Sequence, residues 1–193
     1  MACYKPLHGF RSKEKTPNGK YLFTINPTFA NTAFPMTIPC GYCIGCRLER
    51  SRQWAMRCLH EAKMHQQNSF ITLTFNNQSL QNRKSSQLNK RDFQLFIKKL
   101  RKKIHPVKIR YYHCGEYGSK FKRPHYHACI FGYSFPDKRP WLKKSLYRSA
   151  ELETLWPYGY SSIGDVTFES AAYVARYILK KQFGKNSLEH YCD

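Results

Sequence analysis

The chain has 193 residues, 41% of them hydrophobic and 16% aromatic, enough to bury a core and too apolar for a disordered protein. Thirty-three Lys and Arg against 12 Asp and Glu leave a net charge of +21, which favours a polyanionic partner, nucleic acid ahead of an anionic membrane surface. No apolar run of the roughly 18 residues a membrane span needs is present, and the N-terminus lacks a signal-peptide core. A cytoplasmic site of action is therefore expected, with the eight cysteines reduced or metal-bound rather than paired.

Residues 1–43 contain five prolines and are expected to be irregular, with one short strand over Lys20–Ile25. Within and beside this stretch, Cys40-x-x-Cys43-x-x-Cys46 is tight, and Gly41 and Gly45 permit its turns. Three thiolates at this spacing can hold zinc, which takes four ligands in a structural site. Cys3 is the first choice for the fourth, because little else anchors the N-terminal segment; Cys58 and His60 are alternatives. Pro39-Cys40-x-x-Cys43 matches half of the zinc-deaminase signature, but the chain has no His-x-Glu triplet to complete it.

A helix is expected from Ile44 to His65, with Ile44, Leu48, Ala55, Leu59 and Ala62 on one face. Phe70–Phe75 is β-branched and aromatic and reads as a buried strand. The polar stretch 76–90 reads as a surface loop, and Asp92 opens a helix to Ile104 with Phe93, Phe96, Ile97, Leu100 and Ile104 at helical spacing. Its wet face carries Lys98, Lys99, Arg101, Lys102 and Lys103. Any one such lysine is usually just solvated. Eleven basic residues against one acidic between positions 81 and 110 favour phosphate contacts.

Val107–Cys114 is expected to be a strand, followed by a turn and a second strand from His125 to Phe131. Two residues apart on a strand, His125 and His127 point to one side and Tyr126 to the other. If the two strands form a hairpin with a symmetric turn centred near residue 120, Glu116 stands opposite His125, with Cβ atoms about 5 Å apart. Glu116, His125 and His127 would then offer one oxygen and two nitrogens, a mixed set suited to Mn²⁺ or Mg²⁺ with room for a phosphate oxygen. A lone His-x-His is more often an ordinary pair of strand residues; Glu116 and a nucleophile elsewhere are what change the reading.

A helix over Leu146–Leu155, a strand within Ser161–Phe168 and a last helix over Ser170–Phe183, stopped by Gly184, complete the chain. At roughly 100° per residue, Tyr173, Arg176, Tyr177 and Lys180 share one face of the last helix, and Ala171, Val174, Ala175 and Ile178 the other. Such tyrosines commonly pack against a neighbour. The functional alternative is covalent catalysis by a phenol, which at a pKa of about 10 needs nearby cations or a metal-polarised phosphate to react at neutral pH. The element order gives an α+β fold, an antiparallel sheet with helices on one side.

Together these residues resemble the HUH endonuclease superfamily, named for a His-hydrophobe-His strand. His125-Tyr126-His127 is similar to that motif, Phe70–Asn77 to the first motif of rolling-circle initiators, and Tyr177-Ile178-Leu179-Lys180 to their Tyr-x-x-Lys. Tyr173–Tyr177 resembles the paired-tyrosine version, with Arg176 where some relatives have Lys. The runs Cys40–Arg52, Arg123–Ala128 and Ser170–Tyr177 resemble the replication initiators of gokushovirus-type microviruses.

The resemblance implies a single HUH endonuclease domain over 1–193, with the Cys-rich segment 1–46 inside it. Family members are usually longer, so the chain corresponds to their N-terminal nuclease domain or to a short version. It implies nicking of single-stranded or melted origin DNA by Tyr177, assisted by Lys180, a 5′-phosphotyrosine adduct, and strand transfer with Tyr173 as second nucleophile. Host replication proteins would be further partners, in the bacterial cytoplasm. Two other readings stay open: a non-catalytic single-strand binder stacking bases on Tyr111 and Phe131, and a transposase or relaxase with the same chemistry.

Overall fold

The computed structural model describes residues 3–83, 87–118, 122–141 and 143–179. The chain divides into two compact units, Met1–Arg50 and Ser51–Asp193.

The first unit is built on β1 (Leu7–Lys15), β2 (Tyr21–Thr24) and β3 (Ala30–Ile38), an antiparallel sheet in the order β2-β1-β3. The expectation of an irregular segment with one strand is thus corrected. Pro35 sits at a register shift opposite Phe10, a position where a strand tolerates proline. Gly9 is needed there because a Cβ would run into the Phe23 ring and the Thr24 carbonyl. The unit has almost no apolar core: of its described residues only Ala30, Gly45 and Cys46 are buried. The helix α1 (Ile44–Lys63) begins in this unit, and the division falls after Arg50. Its expected apolar stripe is displaced, since Ile44 and Leu48 are exposed while Ser51, Ala55 and Cys58 are buried.

The second unit carries a six-stranded antiparallel sheet in the order β5-β6-β4-β9-β8-β7: β4 is Asn68–Phe75, β5 Arg110–Tyr117, β6 Pro124–Phe131, β7 Arg139–Trp141, β8 Lys143–Arg148 and β9 Gly159–Gly164. Its remaining helices are α2 (Asn77–Arg83), α3 (Lys90–Lys103), α4 (Ala150–Leu155) and α5 (Phe168–Leu179). The polar stretch 76–90 therefore contains a helix, nucleated where the Asn76 side chain accepts the Ser79 N–H at 2.7 Å. Residues 146–148 extend β8 instead of starting α4, which begins after its cap Ser149, whose hydroxyl accepts the Leu152 N–H at 3.0 Å. The cap of α3 is Asn89 rather than Asp92. Asp92 is engaged with the Tyr126 hydroxyl and with Arg83, both at 3.0 Å.

Helices cover both faces of this sheet, not one. On one face Ile71, Leu73, Phe75, Tyr126, Ala128 and Ile130 pack against Phe93, Phe96, Ile97 and Leu100 of α3, with Leu152 and Trp156 beside them. Each fully buried Leu, Ile or Phe here contributes about 1.5–3 kcal/mol relative to exposure. On the other face Cys114, Cys129 and Phe131 meet Ala55 and Cys58 of α1 and Ala171, Ala172 and Val174 of α5. A strand as uniformly apolar as residues 126–131 is what burial on both sides requires. The expected last helix is present through Leu179; its continuation, Lys180 and Gly184 lie outside the described residues.

Candidate active site and cysteine cluster

The hairpin of β5 and β6 pairs Glu116 with His125 and Cys114 with His127, the register a symmetric turn implies. Opposite residues of an antiparallel pair share a face, so Glu116, His125 and His127 all point toward the side covered by α5. Glu116 and His127 are only 8% and 7% exposed. Nε2 of His127 lies 2.9 Å from Glu116 Oε1, and its Nδ1 lies 2.9 Å from the Thr72 hydroxyl. Phe70 stacks on the His127 ring at 5.9 Å, so both nitrogens and one ring face are set by neighbours. Gly118 flanks His125, and a Cβ there would come 2.8 Å from its Nε2.

The helix α5 delivers the tyrosines to this place. The Tyr173 hydroxyl donates to Glu116 Oε1 at 2.7 Å. Its ring meets His127 edge-on at 5.0 Å and lies 4.7 Å from the ring of Tyr177. Burial and the bonds with Tyr177 and Glu116 push the Tyr173 phenol above its ordinary pKa, so it is held protonated. Burial works against the Glu116 carboxylate, but hydrogen bonds from His127 and Tyr173 outweigh it and hold its pKa below the usual range. The His125 pKa is lowered, first by burial and then by its neighbour His127. Glu116 Oε2 and His125 Nδ1 are buried with no hydrogen-bond partner.

Those two orphaned atoms, one carboxylate oxygen and one imidazole nitrogen, are the kind a hard or borderline divalent cation takes. The donor set Glu116, His125 and His127 fits such an ion chemically. It is not drawn together around a point, because Glu116 Oε1 is occupied by His127 and Tyr173. Lys180, the expected partner of Tyr177, lies outside the described residues.

The cysteine cluster differs. The Sγ atoms of Cys3, Cys40, Cys43 and Cys46 all lie within 4.8 Å of one another, the one such convergent group of metal-ligating atoms among the described residues. Cys40 to Cys46 and Cys43 to Cys3 are each 3.9 Å. Backbone N–H groups of Cys40, Cys43, Cys46 and Tyr4 point at sulfur at 3.3–3.4 Å. The N–H groups of Cys46 and Tyr4 bring the Cys43 thiol down to about 6, while burial pushes Cys46 up to about 12. Four thiols so placed could hold a metal ion, whose own charge would deprotonate the buried one. Cys58 is elsewhere, packed with Cys114 and Cys129.

The basic stripe of α3 does not join the Glu116 cluster. Lys98, Lys99, Arg101, Lys102 and Lys103 are exposed, but α3 covers the opposite face of the sheet. Arg101 lies over Tyr111 and Lys99 over Tyr158. Tyr111 packs on the core and Phe131 is 3% exposed, so neither ring can serve as a stacking platform. The exposed aromatic near the cluster is Tyr160, which sequence reasoning missed; only strand pairing places it.

Residues 68–182 match the model of a replication-associated protein family of the ORF2 type. The chain is 36% identical, over 98% of its length, to "Replication-associated protein VP4" of Bdellovibrio phage phiMH2K, covering 61% of that protein. It is 32% identical to "Replication-associated protein ORF2" of Spiroplasma virus 4 over 94% of the chain and 61% of the relative. To "Replication-associated protein ORF4" of Chlamydia phage 1 it is 32% identical over 89% of the chain and 46% of the relative. The chain thus spans about three-fifths of these relatives' length, or less. No solved structure matches it. Among the described residues no helix is long and apolar enough to cross a membrane. By the match across more than half of its length, this chain belongs to the ORF2-type family of replication-associated proteins.

Proposed function

We propose that the chain is the HUH-type nuclease of a rolling-circle replication initiator, acting on single-stranded origin DNA in the cytoplasm of a bacterial host. The observation that carries this is the meeting of Tyr173, with Tyr177 beside it, and the Glu116–His127 pair at 2.7 Å, in a chain of this family. Glu116, His125 and His127 would hold Mn²⁺ or Mg²⁺, which when bound supplies positive charge to a phosphate oxygen. The Thr72 hydroxyl fixes the His127 ring, as partners of ligating histidines do.

Tyr177 is the primary nucleophile. Its phenolic oxygen bonds to the scissile phosphorus as the bond to the 3′ oxygen breaks. The phenol gives up one proton and the departing 3′ oxygen takes one up. The product is a 5′-phosphotyrosine and a 3′ hydroxyl, and the retained phosphoester lets Tyr173, or the 3′ hydroxyl itself, attack later to transfer or rejoin the strand. Tyr173, held protonated by burial and its neighbours, suits the second role. Host replication proteins would meet the nicked origin afterwards. In the first unit, four sulfur ligands and the near-absence of an apolar core support a structural Zn²⁺ at Cys3, Cys40, Cys43 and Cys46, a staple for a small unit.

Incubation with single-stranded origin DNA and Mn²⁺ should give an SDS-resistant adduct. Tyr173→Phe/Tyr177→Phe should give none. A double variant that still cleaves and still links to DNA would overturn the assignment, and tight binding without any covalent product in the native chain would make it a non-catalytic binder.

A further inference from the structure

We infer that Tyr160 is a stacking platform for a base of the DNA strand beside the scissile phosphate, a nucleotide subsite on the same sheet face as the Glu116 cluster. Strand register places it there. Thr74 pairs with His125 on one side and with Tyr160 on the other, and His125 pairs with Glu116. Residues directly opposite in antiparallel strands project to the same face. Tyr160, Thr74, His125 and Glu116 therefore form one cross-strand row, in which Tyr160 stands two strand spacings, about 10 Å, from His125.

The row changes character along its length. Over β5 and β6 it is covered by α5, and Glu116 is buried there. Toward β9 it opens: Thr74 is half-buried, and Tyr160 is 62% exposed. Ser162 and Thr72, also paired, form the adjacent row on this face and keep it lined by small hydroxyl side chains. An exposed tyrosine is ordinary when alone, but this one stands on a rigid support. A Cβ at Gly159 would collide with the Thr74 carbonyl and the Asn76 nitrogen, so the chain before Tyr160 lies tight against the end of β4. The Asn76 N–H donates to the Tyr158 carbonyl at 2.9 Å, closing the same end. Arg123 is anchored there too, on the Phe75 carbonyl at 2.7 Å and the Asn77 side chain at 2.6 Å, which adds positive charge.

A fixed aromatic on an open, hydroxyl-lined and basic sheet face matches the way single-stranded nucleic acids are held, by stacking without base-specific hydrogen bonds. The subsite rests on the DNA-cleaving reading of the neighbouring cluster, but its test does not. The probe is a single-stranded oligothymidylate carrying one 2-aminopurine, titrated without added metal so that nothing is cut. Tyr160→Ala and Tyr160→Leu should each weaken binding by about tenfold and restore 2-aminopurine fluorescence, while Tyr160→Phe and Tyr160→Trp stay near the native affinity. The slope of log affinity against log salt should be unchanged, because no phosphate contact is lost. Leu keeps the side-chain bulk, so a weak Tyr160→Leu variant with a native melting curve is not a folding failure. Native affinity and quenching in Tyr160→Ala, or a loss in Tyr160→Phe as large as in Tyr160→Ala, would overturn the platform. If the Tyr160 series behaves as stated but the native chain forms no adduct with Mn²⁺, the nuclease reading fails and the platform stands.

Discussion

The two clusters of ligating side chains are built on opposite plans. The cysteine cluster draws three of its four sulfurs from seven consecutive residues and the fourth from Cys3, which the pairing of Leu7 with Ile38 brings back alongside. Its donors are identical, converge within 4.8 Å and receive backbone N–H groups. The Glu116 cluster draws on three strands and a helix, mixes carboxylate, imidazole and phenol, shares one oxygen between two donors and leaves two polar atoms unpaired. The first offers the four sulfurs of a closed tetrahedral site and has no vacancy for a substrate. The second lacks partners that only an ion and a substrate would supply. A closed site holds structure and an open one does chemistry.

Four experiments bear on that contrast, and the first should have the largest effect. His127→Ala should lower metal-dependent cleavage by at least about two orders of magnitude while single-stranded DNA binding persists. Unchanged cleavage on a denaturing gel would remove His127 from the open site. Next, Cys40→Ser or Cys3→Ser should reduce bound zinc, by a metal-release assay, from about one per chain to near none. Co²⁺ added to the native chain should show thiolate charge-transfer absorption, and its persistence in both variants would break the closed-site reading. Third, Thr72→Val removes the bond to His127 Nδ1 but no ligand. It should cost about 10–100-fold in metal affinity or cleavage, and a cost equal to that of His127→Ala would mean Thr72 does more than position the ring. The smallest effect is expected on the far face of the sheet. Lys98→Gln/Lys102→Gln should lower the salt slope of DNA binding by about 0.9 per lysine that contacts phosphate, with the rate of cleavage at saturating DNA unchanged. An unaltered slope would mean those lysines are only a solvated face.

Much of the Glu116 cluster was legible because strand geometry is periodic. Two residues apart means one face, and a hairpin with a symmetric turn fixes which residues stand opposite; that was enough to bring Glu116 to His125. Helical spacing likewise placed Tyr173 and Tyr177 together and turned Ala171, Val174 and Ala175 inward. Cysteine spacing was legible for the same local reason. Other features were not. β1 and β3 were hidden by prolines and by a lack of buried residues, since a sheet without an apolar face carries no clean alternation. Asp92 looked like a helix cap because propensity cannot see that Tyr126 and Arg83 claim its carboxylate.

The sequence by itself determined the periodic and short-range facts: which side chains share a face of one strand, one helix or one hairpin, which cysteines are neighbours, and that the net charge favours a polyanionic partner. Tertiary structure decided everything that depends on which elements are adjacent. It set helices on both faces of the sheet and turned the α3 lysines away from the site. It gave Glu116 Oε1 to both His127 and Tyr173, and set Tyr160 in the row of Glu116. The physical reason is that side-chain direction repeats with the backbone and can be read locally. The order of strands in a sheet is chosen by burial of whole faces, which no local spacing records.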